Sequence, residues 1–269
     1  MEFRTVVDVV DPGFRIGACE EMLFVGSCFA DSIGQRFREE GFPVTVNPYG
    51  TMYNPASVLH TLMRCEVSPR IAFLTLGTNH VYRLKETGEI VDNCEKRPQA
   101  LFQEEELSVD ACADFLQQAV EVLRKRRPDV RVVMTVSPIR YRKYGYHESQ
   151  MSKSTLLLAI EKVIASDGIA GHCAYFPAYE IVMDELRDYR FYAADMLHPS
   201  AQAVEYIWER LVETYFSPEA KAFLDEWRPL KQALGHKPFN PDSEEYRALM
   251  DKTMLKVAEL RKKYSTFAL

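Results

Sequence analysis

The sequence predicts an α/β fold: a flavodoxin-like, three-layer α/β/α arrangement around a five-stranded parallel sheet, followed by a C-terminal helical extension. Three observations predict it. Short apolar runs alternate five times with stretches of helical period, the pattern of a doubly wound sheet. The runs are apolar throughout rather than every second residue, as in parallel strands covered on both faces. Each run is followed by polar, chemically capable residues, as expected at the carboxyl edge of such a sheet, where ligands bind.

In chain order, the strand-like runs are Met22 to Val25, Val44 to Val46, Ile71 to Leu76, Val130 to Val136, and Cys173 to Phe176. Helical stretches lie between and after them, at Phe29 to Glu40, Pro55 to Cys65, Val109 to Arg127, Gln150 to Ala165, and from Pro199 to about Tyr215. The segment 81–107 is too long for a simple crossover. Tyr82-Arg83-Leu84 and Glu89-Ile90-Val91 flank Thr87-Gly88, which reads as a β-hairpin outside the main sheet, an insertion of the kind that forms lids. These pieces make a catalytic α/β domain over 1–215. The extension, 216–269, opens at Ser217-Pro218 and restarts at Asp242 with Glu245, a capping-box-like pair. Its last helix places Tyr246, Leu249, Met250, Met254, Val257 and Leu260 on one stripe, which packs on the main domain or, alternatively, pairs two copies as a homodimer.

Composition narrows the function classes. The 269 residues are 47% hydrophobic and 27% charged, so the chain can bury a core and is not disordered. With 33 Lys+Arg against 39 Asp+Glu, the net charge of −6 argues against nucleic acid as a partner. No apolar run reaches the length of a membrane span, and the residues from Met1 lack a signal-peptide pattern, so a cytoplasmic setting with reduced thiols is expected. The six cysteines show no CxxC pairing, and His60, His172 and His236 lack partners at ligand spacing. No metal and no cofactor is expected.

The strand ends carry Gly26-Ser27-Cys28-Phe29-Ala30, Asn47-Pro48-Tyr49-Gly50-Thr51, Gly77-Thr78-Asn79-His80, Ser137-Pro138-Ile139-Arg140, and Asp195-Met196-Leu197-His198-Pro199. This is the inventory of an acyl-transfer enzyme. A Ser or Cys attacks, a His takes its proton, an Asp orients the His, and N–H groups hold the oxyanion. His198 is placed at or beside the N-cap of the helix opening at Pro199. His80 and Tyr82 would line the pocket from the lid, and Arg140 would hold an anionic substrate group or form a surface ion pair. His147 and Glu148 read as loop residues before the helix carrying Lys153.

The pentapeptide Gly26-Ser27-Cys28-Phe29-Ala30 spells the motif of the GSCFA family, a bacterial group resembling the SGNH/GDSL hydrolase superfamily. Asn47 to Pro55, Thr75 to Thr78, Thr135 to Pro138, Ser152 to Leu156 and Asp195 to Pro199 resemble its other blocks, in the same order. Cys94-Glu95-Lys96 departs from the Cys-His-Lys of the family. The resemblance implies an SGNH-like ester hydrolase acting on a small-molecule or carbohydrate ester, with a small acyl group such as O-acetyl. Gly50 and Asn79 would supply the oxyanion hole beside the nucleophile's own N–H, and Asp195 and His198 complete the triad. Aligned without a gap on Gly-Asp-Ser, the motif puts Cys28 at the nucleophile position, where a helix N-terminus favours a thiolate. Shifting the frame by one makes Ser27 the nucleophile. An acyltransferase using the same residues, and a non-catalytic module binding a nucleotide or flavin, are the rival functions.

Overall fold

The computed structural model describes residues 4–92, 94, 97–169 and 171–269, so the Glu95-Lys96 part of the family's variant segment lies outside the described residues. The main sheet contains β1 (Met22–Gly26), β2 (Val44–Val46), β3 (Ile71–Leu76), and two later strands, Arg131–Val136 and Cys173–Tyr175. All are parallel, in the spatial order second, first, third, fourth, fifth. The five-stranded parallel sheet expected from the sequence is therefore present.

Its strands are apolar throughout because each face has its own core. Met22, Phe24, Ile71 and Phe73 belong to one cluster, whereas Leu23, Val25, Ala72 and Leu74 belong to the other. The first face is aromatic: Phe24 stacks on Phe73 at 4.8 Å between centroids, and Phe37 meets Trp208 edge-on at 4.8 Å. It is covered by α1 (Cys28–Glu39) and by a helix over Ala201–Tyr215. The second face is covered by α2 (Pro55–Arg64), α3 (Val109–Arg126) and α4 (Tyr146–Ile164).

The insertion is a three-stranded antiparallel sheet, not a lone hairpin. Strands β4 (His80–Leu84) and β5 (Ile90–Val91) pair as expected, and β6 (Phe102–Glu106) adds to the other edge of β4. The strand Phe-Gln-Glu-Glu-Glu gave almost no signal in the sequence, since only Phe102 is buried among exposed and half-exposed acids. In chain order, β7 is then Arg131–Val136 and β8 is Cys173–Tyr175. After β8 come α5 (Ala178–Glu180) and a single π turn over Ile181–Glu185, closed by Leu186 N–H donating to Ile181 O at 2.8 Å.

The last helices are α6 (Ala201–Tyr215), α7 (Pro218–Gly235) and α8 (Glu244–Lys263). They extend the aromatic core rather than standing apart. Phe223 and Trp227 join it, and the Trp227 indole donates to Glu39 O at 3.2 Å. The inward face of α8 is Thr253, Val257 and Leu260. Leu249 and Met254, expected on the buried stripe, are exposed because the helix is rotated onto α7 by its Val257–Leu260–Tyr264 contacts. Ser243, not Asp242, is its N-cap. Likewise α6 is capped by Ser200, so His198 lies in the loop ahead of the cap, and α4 begins early enough to include His147 and Glu148.

Candidate active site

The strand order reverses between β1 and β3: the chain leaves β1 for β2 on one side and returns to β3 on the other. A parallel sheet opens a crevice at that point. Gly26 ends β1 at φ +146°, opposite Thr75 in the ladder, where a Cβ would collide with the Thr75 carbonyl. The close approach brings the first turn of α1 against the end of β3. The loop after β2 is latched over it by Asn47, whose Oδ1 accepts from Gly26 N–H at 2.9 Å and whose Nδ2 donates to Asp31 at 2.8 Å.

Ser27 and Cys28 have different surroundings here. Ser27 is 1% exposed and caps α1: its Oγ accepts from Phe29 N–H at 3.2 Å and lies 3.2 Å from the Thr75 hydroxyl. Cys28 is the first residue of the helix, half-buried, with Sγ 3.7 Å from the Tyr53 hydroxyl. Burial, and next the contact with Cys28, push the Tyr53 phenol up to about 12, so it stays protonated in the neutral range. Both residues border a cavity of about 260 Å³ that is also lined by Tyr53, Gly77, Tyr141, Arg140 and His198.

The Asp195–His198 loop is built around the Asp195 carboxylate. Oδ1 accepts the N–H groups of Leu197 at 2.9 Å and His198 at 3.0 Å, while Oδ2 lies 2.5 Å from His198 Nδ1. Those backbone bonds, then the imidazole, hold the Asp195 carboxyl down at about 2, so it is ionised throughout the neutral range. Arg140 pins the loop to the end of β7: its N–H donates to Leu197 O at 3.0 Å and its guanidinium to Met196 O at 3.2 Å. The guanidinium stands over the Tyr146 ring at 4.3 Å, and it has no carboxylate partner among the described residues, so the expected surface ion pair is not formed.

Three other expectations are corrected. The Gly50 N–H donates to Asn47 O at 2.9 Å, closing the exposed turn, and is therefore not available to an oxyanion. The Asn79 side chain is buried away from the cavity, with Nδ2 donating to Leu107 O at 2.8 Å, so it fastens the start of β4 to the loop after β6. His80 is buried and stacked on Tyr144 at 4.0 Å, one ring removed from Tyr141 in the cavity wall, and burial lowers its pKa. Of the expected oxyanion donors, the Cys28 N–H remains, in the first turn, where a helix leaves its N–H groups without internal acceptors.

Lys153, to which the sequence assigned no role, lies beneath this edge. It is 2% exposed, and its Nζ donates to Gly77 O at 2.7 Å and Ser137 O at 2.8 Å, joining the ends of β3 and β7. Burial without a carboxylate lowers its pKa to about 7. The unfolded chain, with a lysine near 10.4, binds the extra proton over that interval. Stability therefore rises with pH between about 7 and 10.4, with the penalty complete below and absent above. In Lys153→Met the two carbonyls lose their donor, at about 1–3 kcal/mol each. Urea unfolding should show the variant well below wild type at pH 9.5, with a narrower gap at pH 6. A gap independent of pH would contradict the assignment. A sequence signal existed, a lysine on the inward face of a helix between Ser149, Ser152 and Leu156, but it resembled a surface charge.

Two family models match the chain: the GSCFA family over residues 21–72 and 67–211, and the GSCFA domain protein, C-terminal domain, over 227–269. The chain belongs to the GSCFA family. The first matched GSCFA segment carries Cys28, and the second carries Asp195 and His198, the residues gathered at the crevice. No curated protein matches the chain. Among solved structures, this GSCFA chain is similar to an acetyl esterase mutant with acetate ion, at 11% identity, with 77% of this chain and 99% of that chain covered and a TM-score of 0.44. A family 3 carbohydrate esterase of Clostridium thermocellum is 10% identical over 81% and 99% of the two chains, with a TM-score of 0.41. One from Talaromyces cellulolyticus is 10% identical over 77% and 99%, with a TM-score of 0.40.

Proposed function

We propose that the protein is an SGNH-like ester hydrolase that removes a small acyl group, with Cys28 as nucleophile, His198 as general base and then acid, and Asp195 as its orienting carboxylate. Three observations together carry the reading. Cys28 and His198 border the same cavity, His198 Nδ1 is held by Asp195 at 2.5 Å, and the Ser27 hydroxyl is engaged in the helix cap. Donation of Nδ1–H to the carboxylate leaves Nε2 unprotonated and able to act as the base.

The reaction balances with these groups alone. The thiol proton passes to Nε2 as sulfur bonds to the acyl carbon, and the oxyanion forms near the Cys28 N–H at the helix start. Collapse breaks the C–O bond, and the leaving alkoxide takes the proton from His198. Water then gives its proton to His198, its oxygen bonds to the acyl carbon, and the C–S bond breaks. The proton returns to sulfur. A cavity of about 260 Å³ suits a short acyl chain.

The test is to trap the intermediate. Acid-quenching the enzyme during turnover of 4-nitrophenyl acetate should show one acetyl group on intact protein, mapped to the peptide carrying Cys28 and released by neutral hydroxylamine. Acetyl mapped to Ser27, or turnover absent along with the adduct, would overturn the reading.

A further inference from the structure

A second cavity, of about 290 Å³, adjoins the one at Cys28, and Ile139 and Arg140 line both. Its walls are aromatic, with Tyr146, Tyr179, Tyr189 and Tyr192, and the π turn supplies Val182 and Met183. π turns recur at functional sites because the extra residue redirects side chains that a regular helix would place elsewhere. Arg140 divides the two chambers, its guanidinium 4.3 Å from the Tyr146 centroid and 5.4 Å from that of Tyr192. The aromatic contacts fix the plane of the group while leaving donors free for a ligand.

The charge lining both chambers runs against that of the molecule. The chain as a whole carries −6. Yet Arg140, Arg142 and Arg187 line the paired chambers with no carboxylate partner among the described residues. Lys143, also in the lining, is paired with Glu104 at 3.0 Å. Asp188 is the one carboxylate in either lining. It is occupied by Arg190, accepting its backbone N–H at 2.9 Å and pairing with its guanidinium at 3.4 Å. Unpaired guanidinium groups in a concave site focus a positive potential and bind carboxylate or phosphate through paired N–H groups. Flat aromatic walls beside them suit a ring.

We propose that this second cavity is the subsite for the alcohol half of the ester, and that the alcohol is a ring compound carrying an anionic group, phosphate or carboxylate. The assignment of the two halves rests on Cys28 being the attacking atom. The acyl group then occupies the smaller chamber and the leaving alcohol the tyrosine-walled one, across Arg140. Substrate choice would follow from Arg140 and Arg187, which recognise the anion, and from the tyrosines, which recognise the ring.

Calorimetric titration of the full-length protein with glucose 6-phosphate, glucuronate and glucose tests this directly. At least one of the two anions should bind at least tenfold tighter than glucose, with an affinity that falls as salt is raised. Arg140→Gln combined with Arg187→Gln should abolish that preference, and Tyr189→Ala, at a position 72% exposed and safe for folding, should weaken the anion several-fold. Equal binding of all three probes, binding of none, or an anion preference that survives the double substitution would overturn the proposal. The catalytic reading is separable. Cys28-dependent hydrolysis of 4-nitrophenyl acetate without any anion preference removes the subsite alone. Anion binding in a protein with no acyl chemistry removes the hydrolase and with it the assignment to the alcohol half, leaving an anion-binding chamber.

Discussion

Cys28→Ala should lower kcat/KM for a small acetyl ester by about 10⁴-fold or more, whereas Ser27→Ala should leave turnover within several-fold of wild type. Ser27 is a cap with a buried hydroxyl on Phe29 N–H and Thr75. Its loss removes a bond from the first turn of α1, at about 1 kcal/mol of stability, and should show mainly as a lower urea midpoint. Among the described residues, Cys28 has only the Tyr53 hydroxyl on its sulfur, and it shares the cavity with His198. His198→Ala should fall as far as Cys28→Ala, and the double variant scarcely further, because the pair acts as a unit. Full turnover in Cys28→Ala with a dead Ser27→Ala would reverse the assignment.

Gly26→Ala should be the most destabilising single substitution at this edge, at about 4 kcal/mol or more by urea unfolding. Two causes combine there. The residue sits at φ +146°, outside the range L side chains adopt, and its Cβ would collide with the Thr75 carbonyl. That oxygen is backbone, and it also accepts Ser27 N–H at 3.0 Å, so it cannot withdraw without breaking the join between β1 and β3. Gly50→Ala provides the contrast. It also has positive φ, at +90°, but a Cβ there meets nothing, so only the conformational cost of about 1 kcal/mol remains. Equal losses at the two positions would show that backbone conformation alone, not the strand approach, sets the cost.

The main sheet was legible because parallel strands covered on both faces must be apolar at every position, and Met22 to Val25 and Ile71 to Leu76 are. The helices were legible from their periodicity to within a residue or two at most ends, except the start of α4. There Tyr146 to Ser149 read as loop, and only the Gly145 N-cap position fixes where the helix begins. Strand β6 was not legible, because an edge strand with one buried residue need not alternate. The site followed the same division. Asp195 and His198 are three residues apart, so a local turn brings them together. Gly50 and Asn79 were placed by position after a strand, which says nothing about where an N–H points.

By itself, the sequence determined the fold class and the family, since both follow from local pattern. Only the tertiary structure gives Ser27 and Cys28 different surroundings. Adjacent residues at a helix start differ by one step in direction: both border the cavity, but the Ser27 hydroxyl is engaged by Thr75 and the helix cap, whereas the Cys28 sulfur meets the Tyr53 hydroxyl. Tertiary structure likewise revealed Lys153 under the crevice and the charged second chamber beside it. Both depend on groups from distant parts of the chain meeting across the ends of β3 and β7, where no spacing in the sequence records the encounter.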